Sequence, residues 1–244
     1  MIGKLPINSA GDLDVSGMSS GVSGRPVAVF DLDDTLVRGD SFGRFLRVLL
    51  LRGPGRAAAS LMSAVFLLPL FFLPPTRRLA IAGFLWLATV GVPSSRFAEL
   101  AEEFAAAHTA GPRRIAVALQ RLHAHLDAGD RVVVATACAD PVATAVCRGL
   151  GLDTVEVVAA QLRRGRCSFR AVRGCLGAEK VLRLHEAGIA IPVAYAYTDS
   201  ATDLPLLQSA THRYLIDPTP RGLQRVGDEL GTEFTVLRSR PVDA

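Results

Sequence analysis

The sequence predicts an α/β fold: a doubly wound core with a parallel sheet, and an all-helical, strongly apolar cap inserted after the first strand. Three observations predict it. Short β-rich runs alternate with helical ones from Val132 onward, and a similar apolar run, "VAVF", stands apart from Val27 to Phe30. Between them, roughly a hundred residues separate Asp31 from Thr136, far more than the single helix of an ordinary crossover needs.

A chain of 244 residues accommodates one ordinary domain plus a sizeable insertion, and is too short for two large domains and a linker. Residues 1–25 are rich in Gly and Ser without an apolar stretch of signal-peptide length, and are expected to form a disordered leader. The core is expected over 26–40 and 130–240, and the cap over 41–129. Its first strand, "VAVF", runs directly into Asp31, Asp33 and Asp34.

Within the cap, Ala57 to Thr76 and Leu79 to Ser95 carry no charge, with Arg77 and Arg78 between them. About 20 apolar residues would cross a bilayer. Pro69, Pro74 and Pro75 interrupt a continuous span. The strand-end residues on either side of the cap must meet on one side of any membrane, so the number of crossings is even. A two-pass hairpin would place Arg77 and Arg78 on the far side, against the positive-inside tendency for a cytoplasmic site. The expectation is therefore an interfacial or re-entrant helical pair over about 57–95, at the cytoplasmic face of the cell membrane. Arg44, Arg47, Arg52, Arg56, Arg77 and Arg78 would face anionic headgroups. The alternative is a buried cap core or a dimer interface in a cytoplasmic protein.

Beyond the cap come "RVVVAT", a helix after Asp140-Pro141, "TVEVVAA", a polar hairpin-like stretch around Arg163 to Arg166, a helix from Ala178 to Ala187, "VAYAYT", a helix from Thr202, and "RYLID". Continuous apolar strands separated by helices imply a parallel sheet covered on both faces. Ligands of such sheets bind beyond the carboxyl ends of the strands. Asp31 and Asp33 follow "VAVF", Thr136 follows "VVVA", and Asp199 follows "VAYAYT".

The net charge of +4 is carried mostly by dispersed arginines, with no block of like charges that reads as a nucleic-acid arm. An anionic partner fits this balance, either a phosphorylated substrate or an acidic lipid surface. Cys138, Cys147, Cys167 and Cys175 have neither CxxC pairing nor zinc-ligand spacing, and are expected as reduced, mostly buried thiols. His123 and His125 stand two apart on an expected helix, so they point to different faces.

Closely spaced carboxylates are tolerable when a metal ion neutralises them or when they share a proton. Asp31, Asp33 and Asp199 suit a hard cation such as Mg2+, which takes one or two carboxylates plus phosphate and water. A calcium loop beginning at Asp31 fails, because Leu36 and Phe42 stand where glycine and glutamate are required. Acids decorating a helix N-terminus explain one aspartate but not the matching set after other strands.

"FDLDDTL" resembles motif I of the haloacid dehalogenase superfamily, Thr136 in "VVVATAC" its motif II, Lys180 in "CLGAEKVLRL" its motif III, and "YTDSATD" its motif IV. The resemblance implies that Asp31 attacks phosphorus and that Asp33 acts as general acid and base. Thr136 would bond a phosphoryl oxygen and Lys180 would offset charge. Mg2+ would lie among Asp31, Asp33, Asp199 and Asp203. Two departures stand out: Asp34 occupies a position often held by glycine, and Thr198 replaces the usual glycine before Asp199.

The insertion after motif I resembles the type I cap arrangement shared with phosphoserine phosphatases. "DSFGRFLRVLL", "LWLATVG", "YTDSATDLPLL" and "HRYLIDPTPRG" resemble the hydrolases grouped with bacterial phosphatidylglycerophosphatase C. That group implies a lipid phosphate substrate, with Thr35, Asp40, Ser41, Arg44 and Ala137 as candidate substrate contacts and Arg213 as either an anion contact or a strand-end support. Two alternatives remain open: a soluble phosphatase of the phosphoserine type, and a non-catalytic membrane-binding module that retains a phosphate pocket.

Overall fold

The computed structural model describes residues 25–72 and 75–239. The expected leader, apart from Arg25, and Pro74 lie outside the described residues. In chain order the elements are β1 (Val27–Phe30), α1 (Ser41–Leu50), α2 (Pro54–Phe72), α3 (Arg77–Thr89), α4 (Ser94–His108), α5 (Ala116–Asp127), β2 (Arg131–Ala139) and α6 (Val142–Gly149). There follow β3 (Glu156–Arg164), β4 (Phe169–Arg173), α7 (Ala178–Glu186), β5 (Val193–Thr198), α8 (Leu204–Gln208), β6 (Ala210–Ile216), α9 (Pro220–Leu230) and β7 (Thr235–Leu237). Short 3₁₀ turns cover Gly111–Arg113 and Ala201–Asp203.

The strands form one sheet in the order β4-β3-β2-β1-β5-β6-β7. Every neighbouring pair is parallel except β3 with β4, which form the antiparallel hairpin expected around Arg163 to Arg166. Side chains alternate across the sheet as the pleat requires. Ala28, Phe30, Val132 and Val134 enter one core cluster, while Val29, Val133 and Ala135 enter the cluster on the opposite face. Each fully buried large apolar side chain contributes about 1.5–3 kcal/mol, so β1, apolar on both faces, suits the centre of the sheet.

The insertion departs from the sequence reading in three places. First, α5 lies within the stretch assigned to the cap, yet it packs on β1 and β2. Apolar periodicity shows that a helix has a buried face but not which surface covers it. Second, α2 continues through Pro69 to Phe72. A proline in the last turn of a helix removes one hydrogen bond close to where the ladder ends anyway. Third, the Arg56 guanidinium donates to the carbonyls of Ala88 at 2.5 Å and Val90 at 3.1 Å, capping the negative end of α3 instead of facing outward.

Helices α2 and α3 approach closely at Gly83, where a Cβ would sit 2.9 Å from Leu67 Cδ2. Leu61, Met62, Val65, Phe66, Phe72, Leu79 and Trp86 on this pair are exposed. Among the described residues, no single helix is long and apolar enough to cross a membrane.

Candidate active site

The strand order reverses between β1 and β5, the position where open α/β sheets bind ligands. Phe30 pairs with Tyr197, and the Asp31 N–H donates to the Tyr197 carbonyl over 2.9 Å. Asp31 after β1 and Asp199 after β5 therefore emerge side by side at the carboxyl end of the sheet.

The chain then makes a tight turn in which Asp34 adopts a φ of 57° and its N–H donates to the Val37 carbonyl. This left-handed conformation gives the first departure from the family pattern a physical meaning. Glycine reaches it without strain, while aspartate tolerates it by local hydrogen bonding. Here Asp34 Oδ1 accepts the Gly39 N–H at 2.6 Å. The second departure is also put to use. Thr198 Oγ1 donates to Asp203 Oδ2 over 3.1 Å and accepts the Ser200 N–H over 3.2 Å, tying the end of β5 to the following turn.

Lys180, in the first turn of α7, is buried and reaches across the site. Its Nζ donates to Asp31 Oδ1 over 2.8 Å and to Asp203 Oδ2. The preceding Gly177 has a φ of 58°, and a Cβ there would sit 3.3 Å from the Thr202 carbonyl oxygen, so glycine lets α7 start against the Asp203 turn. Burial pushes the Asp31 carboxyl up to about 6; Lys180 opposes the rise and Asp203 adds to it. For Lys180, burial favours the neutral amine, but the two acids outweigh it and the net direction is upward.

Asp33 faces a different partner. Its Oδ1 accepts the Ser41 N–H at 3.0 Å and the Ser41 hydroxyl, and the hydroxyl oxygen in turn lies 3.1 Å from His108 Nε2. Burial raises the Asp33 carboxyl to about 7, with the Ser41 bonds opposing and the charge of Asp31 adding. Such a carboxyl is poised to give and take a proton near neutral pH.

Thr136 lies inside β2, which runs on to Ala139, and a register shift against β3 falls just after it. Its Oγ1 accepts the Cys138 N–H over 3.0 Å. Ala137 and Cys138 line a cavity of about 440 Å³ shared with Asp40 and with Phe42, Leu46, Ile81 and Phe84 of the inserted segment. Asp40 also caps α1 by accepting the Gly43 N–H at 2.8 Å. Thr35 Oγ1 donates to Asp199 Oδ1 at 3.4 Å rather than facing that cavity, and Arg44 lines a neighbouring cleft with Arg47, His108 and Arg113.

Among the described residues, no three His, Cys, Asp or Glu side chains group closely enough to enclose an ion by themselves. The expected set of four carboxylates is thus divided: Asp33 is engaged by Ser41, and Asp203 Oδ2 by Lys180 and Thr198. What remains fits Mg2+, which needs only one or two carboxylates when water and phosphate complete its shell. Burial, with the charge of Asp31 second, raises Asp199 to about 7. Asp203 Oδ1 is a buried acceptor without a hydrogen-bond partner among the described residues.

Sequence reasoning missed His108, because a lone histidine at the end of an alanine-rich helix carries no local signal. It also placed Ser41 among substrate contacts, whereas its hydroxyl is engaged by Asp33. Arg213 supports its strand, donating to the Leu207 and Ala210 carbonyls and pairing with Glu233 at 2.8 Å. All four cysteines are free, with Cys138, Cys147 and Cys175 buried. His125 Nδ1 contacts Asp130 at 2.7 Å while His123 Nδ1 lies 2.8 Å from the Leu119 carbonyl oxygen, so the two do not act as a pair.

Comparison with known proteins agrees with this arrangement. A crystal structure of a protein of unknown function from Bordetella pertussis Tohama I shares the fold with a TM-score of 0.67 at 22% identity, covering 88% of this chain and 99% of that one. A substrate-bound phosphoserine phosphatase structure shares it with a TM-score of 0.53 at 16% identity, over 88% of this chain and 94% of that one. "Probable phosphatase Rv3661" of Mycobacterium tuberculosis (strain ATCC 25618 / H37Rv) is 30% identical over 136 residues, which are 54% of this chain and 46% of that relative. The chain thus spans about half the length of the curated relatives it matches. The model of the haloacid dehalogenase-like hydrolase family matches residues 28–208, from β1 through Lys180 to the Asp199 turn, and the chain belongs to that family.

Proposed function

We propose that this protein is a phosphomonoester hydrolase acting through an aspartyl-phosphate on Asp31, with a lipid phosphate such as phosphatidylglycerol phosphate as its substrate. The observation that carries the chemistry is the bridge from Lys180 to Asp31 and Asp203 beside Asp199, at the reversal of strand order. The Asp31 carboxylate attacks phosphorus while Asp33 protonates the leaving oxygen; Asp33 then takes the proton of the water that cleaves the acyl phosphate. Lys180 holds Asp31 in place and offsets the charge that accumulates on the phosphoryl oxygens, and Thr136 contributes a hydroxyl near them. Mg2+ held by Asp31 and Asp199 would neutralise the carboxylates and the phosphate dianion.

A lipid substrate is supported by the apolar lining of the cavity beside Ala137, by the exposed side chains of α2 and α3, and by the positive charge of Arg47 at that cavity and of Arg44 in the neighbouring cleft. The position of α1–α4 between β1 and β2 supports the type I cap assignment, and the exposed apolar side chains and arginines support a peripheral site at the cytoplasmic membrane face. The second reading, a soluble substrate of the phosphoserine kind, draws on the shared fold with phosphoserine phosphatases. Phosphate release from phosphatidylglycerol phosphate in mixed micelles and from phosphoserine, each with and without Mg2+, separates the two. Mg2+-dependent turnover favouring the micellar lipid is the expected result, and a strong preference for phosphoserine replaces the first reading with the second.

A further inference from the structure

Ser41 opens α1, the first inserted helix, and His108 closes α4, the last of that group. Their side chains meet, Oγ to Nε2 at 3.1 Å, and both residues are buried, with 4% of His108 exposed. Because the same hydroxyl bonds Asp33, a chain of three side chains runs from the end of β1 into the insertion.

A serine hydroxyl has one proton to donate and two lone pairs. While Asp33 is ionised, that proton goes to its carboxylate, and the second partner of Ser41 Oγ must be a donor; Nε2–H of His108 is that donor. When Asp33 carries the proton it gives to the leaving oxygen, that proton sits on Oδ2, because Oδ1 still accepts the Ser41 N–H and hydroxyl, and Nε2–H still donates to Ser41 Oγ. A neutral imidazole with its proton on Nε2 serves both states. Burial holds His108 toward the neutral form, the charges of Arg113 and Arg44 push the same way, and Asp40 opposes them. Phe104 stacks on the imidazole at 4.8 Å and fixes the plane of the ring.

We propose that His108 is a positioning residue for phosphoester cleavage: it sets the direction of the Ser41 hydroxyl, which keeps the Asp33 carboxyl aimed at the leaving oxygen. The proposal rests on the role given to Asp33 above. It makes the acid step depend on the inserted helices as well as on the core.

The quotient kcat/KM reports events up to transfer of the phosphoryl group to Asp31. Phosphatidylglycerol phosphate and phosphoserine, both alkyl phosphates, need their leaving oxygen protonated in that step, whereas p-nitrophenolate leaves without help. His108→Leu is expected to lower kcat/KM for whichever of phosphatidylglycerol phosphate and phosphoserine the parent hydrolyses better by about 10- to 100-fold, within the about 10²–10⁴-fold scale of a general acid, and to leave p-nitrophenyl phosphate nearly unchanged. His108→Gln, whose amide can donate or accept near the place of Nε2, is expected to restore most of the loss. Ser41→Ala, a smaller change, carries the same prediction should the leucine variant not fold. Equal losses on both substrates, or none on either, overturn the proposal. Asp33→Asn separates the two claims: if it shows the leaving-group dependence and His108→Leu does not, only the role of His108 falls, and if it shows none, the acid role of Asp33 falls with it.

Discussion

Lys180 Nζ donates to Asp31 Oδ1 over 2.8 Å with 1% of the lysine side chain exposed, and the same ammonium bonds Asp203. One buried cation thus serves two acids from different loops, and removing it leaves both without a counter-charge. Breaking a buried pair by deleting one partner costs about 3–5 kcal/mol. Lys180→Met should lose stability on that scale in urea melts at neutral pH. The gap should narrow at pH 4.5, below the value of about 6 of Asp31, where its protonated carboxyl no longer needs the cation. An equal gap at both pH values contradicts the argument.

The Asp33 carboxyl, raised by burial to about 7, must carry its proton to serve as acid in the first step. Its active form is lost as pH rises through that value, so kcat/KM for an alkyl phosphate should fall above about pH 7 by up to one decade per unit. Asp33→Asn should remove the inflection together with most of the activity. A wild-type profile that climbs steadily to pH 9 speaks against this assignment.

Metal removal should show in stability as well as in rate. Burial is the largest cause of the rise of Asp31 to about 6, of Asp33 to about 7 and of Asp199 to about 7, each from an ordinary 3.8. The folded chain therefore binds more protons than the unfolded chain between about pH 4 and pH 7, and its stability falls as pH rises across that window. A cation shared by Asp31 and Asp199 favours their charged forms and opposes the loss. Mg2+ should raise Tm over an EDTA-treated sample more at pH 8 than at pH 5, and Asp199→Asn should abolish most of the difference.

The sheet and its strand-end acids were legible because their signals are local: four apolar residues followed by aspartate read the same in any context. Long-range placement was not. The left-handed turn at Asp34 is tied by the N–H that Gly39, five residues on, donates to its carboxylate, and the capping of α3 by Arg56 joins residues more than thirty positions apart. The engagement of Ser41 by His108 spans 67 positions and leaves no trace in periodicity. The last strand, Thr235–Leu237, is too short an edge to stand out from the chain around it.

The exposed apolar side chains of α2 and α3 make a prediction about partners that is separable from the chemistry. Phe66 is 72% exposed and Leu61 is 73% exposed, and neither lines the cavity beside Ala137. Side chains of that size gain about 1.5–3 kcal/mol each when fully buried, so seating them in a lipid interface supplies affinity that the arginines alone do not. Phe66→Asp and Leu61→Asp together should weaken sedimentation with phosphatidylglycerol-rich vesicles by more than tenfold, since two such side chains are worth about 3–6 kcal/mol at full burial and a tenfold change corresponds to about 1.4 kcal/mol. Turnover of p-nitrophenyl phosphate should be unchanged, because both side chains face outward and neither lines the cavity at the site. If the double variant still binds vesicles as the parent does, the helical pair is not the lipid-facing surface; if soluble turnover also collapses, the pair is needed for the fold of the site instead.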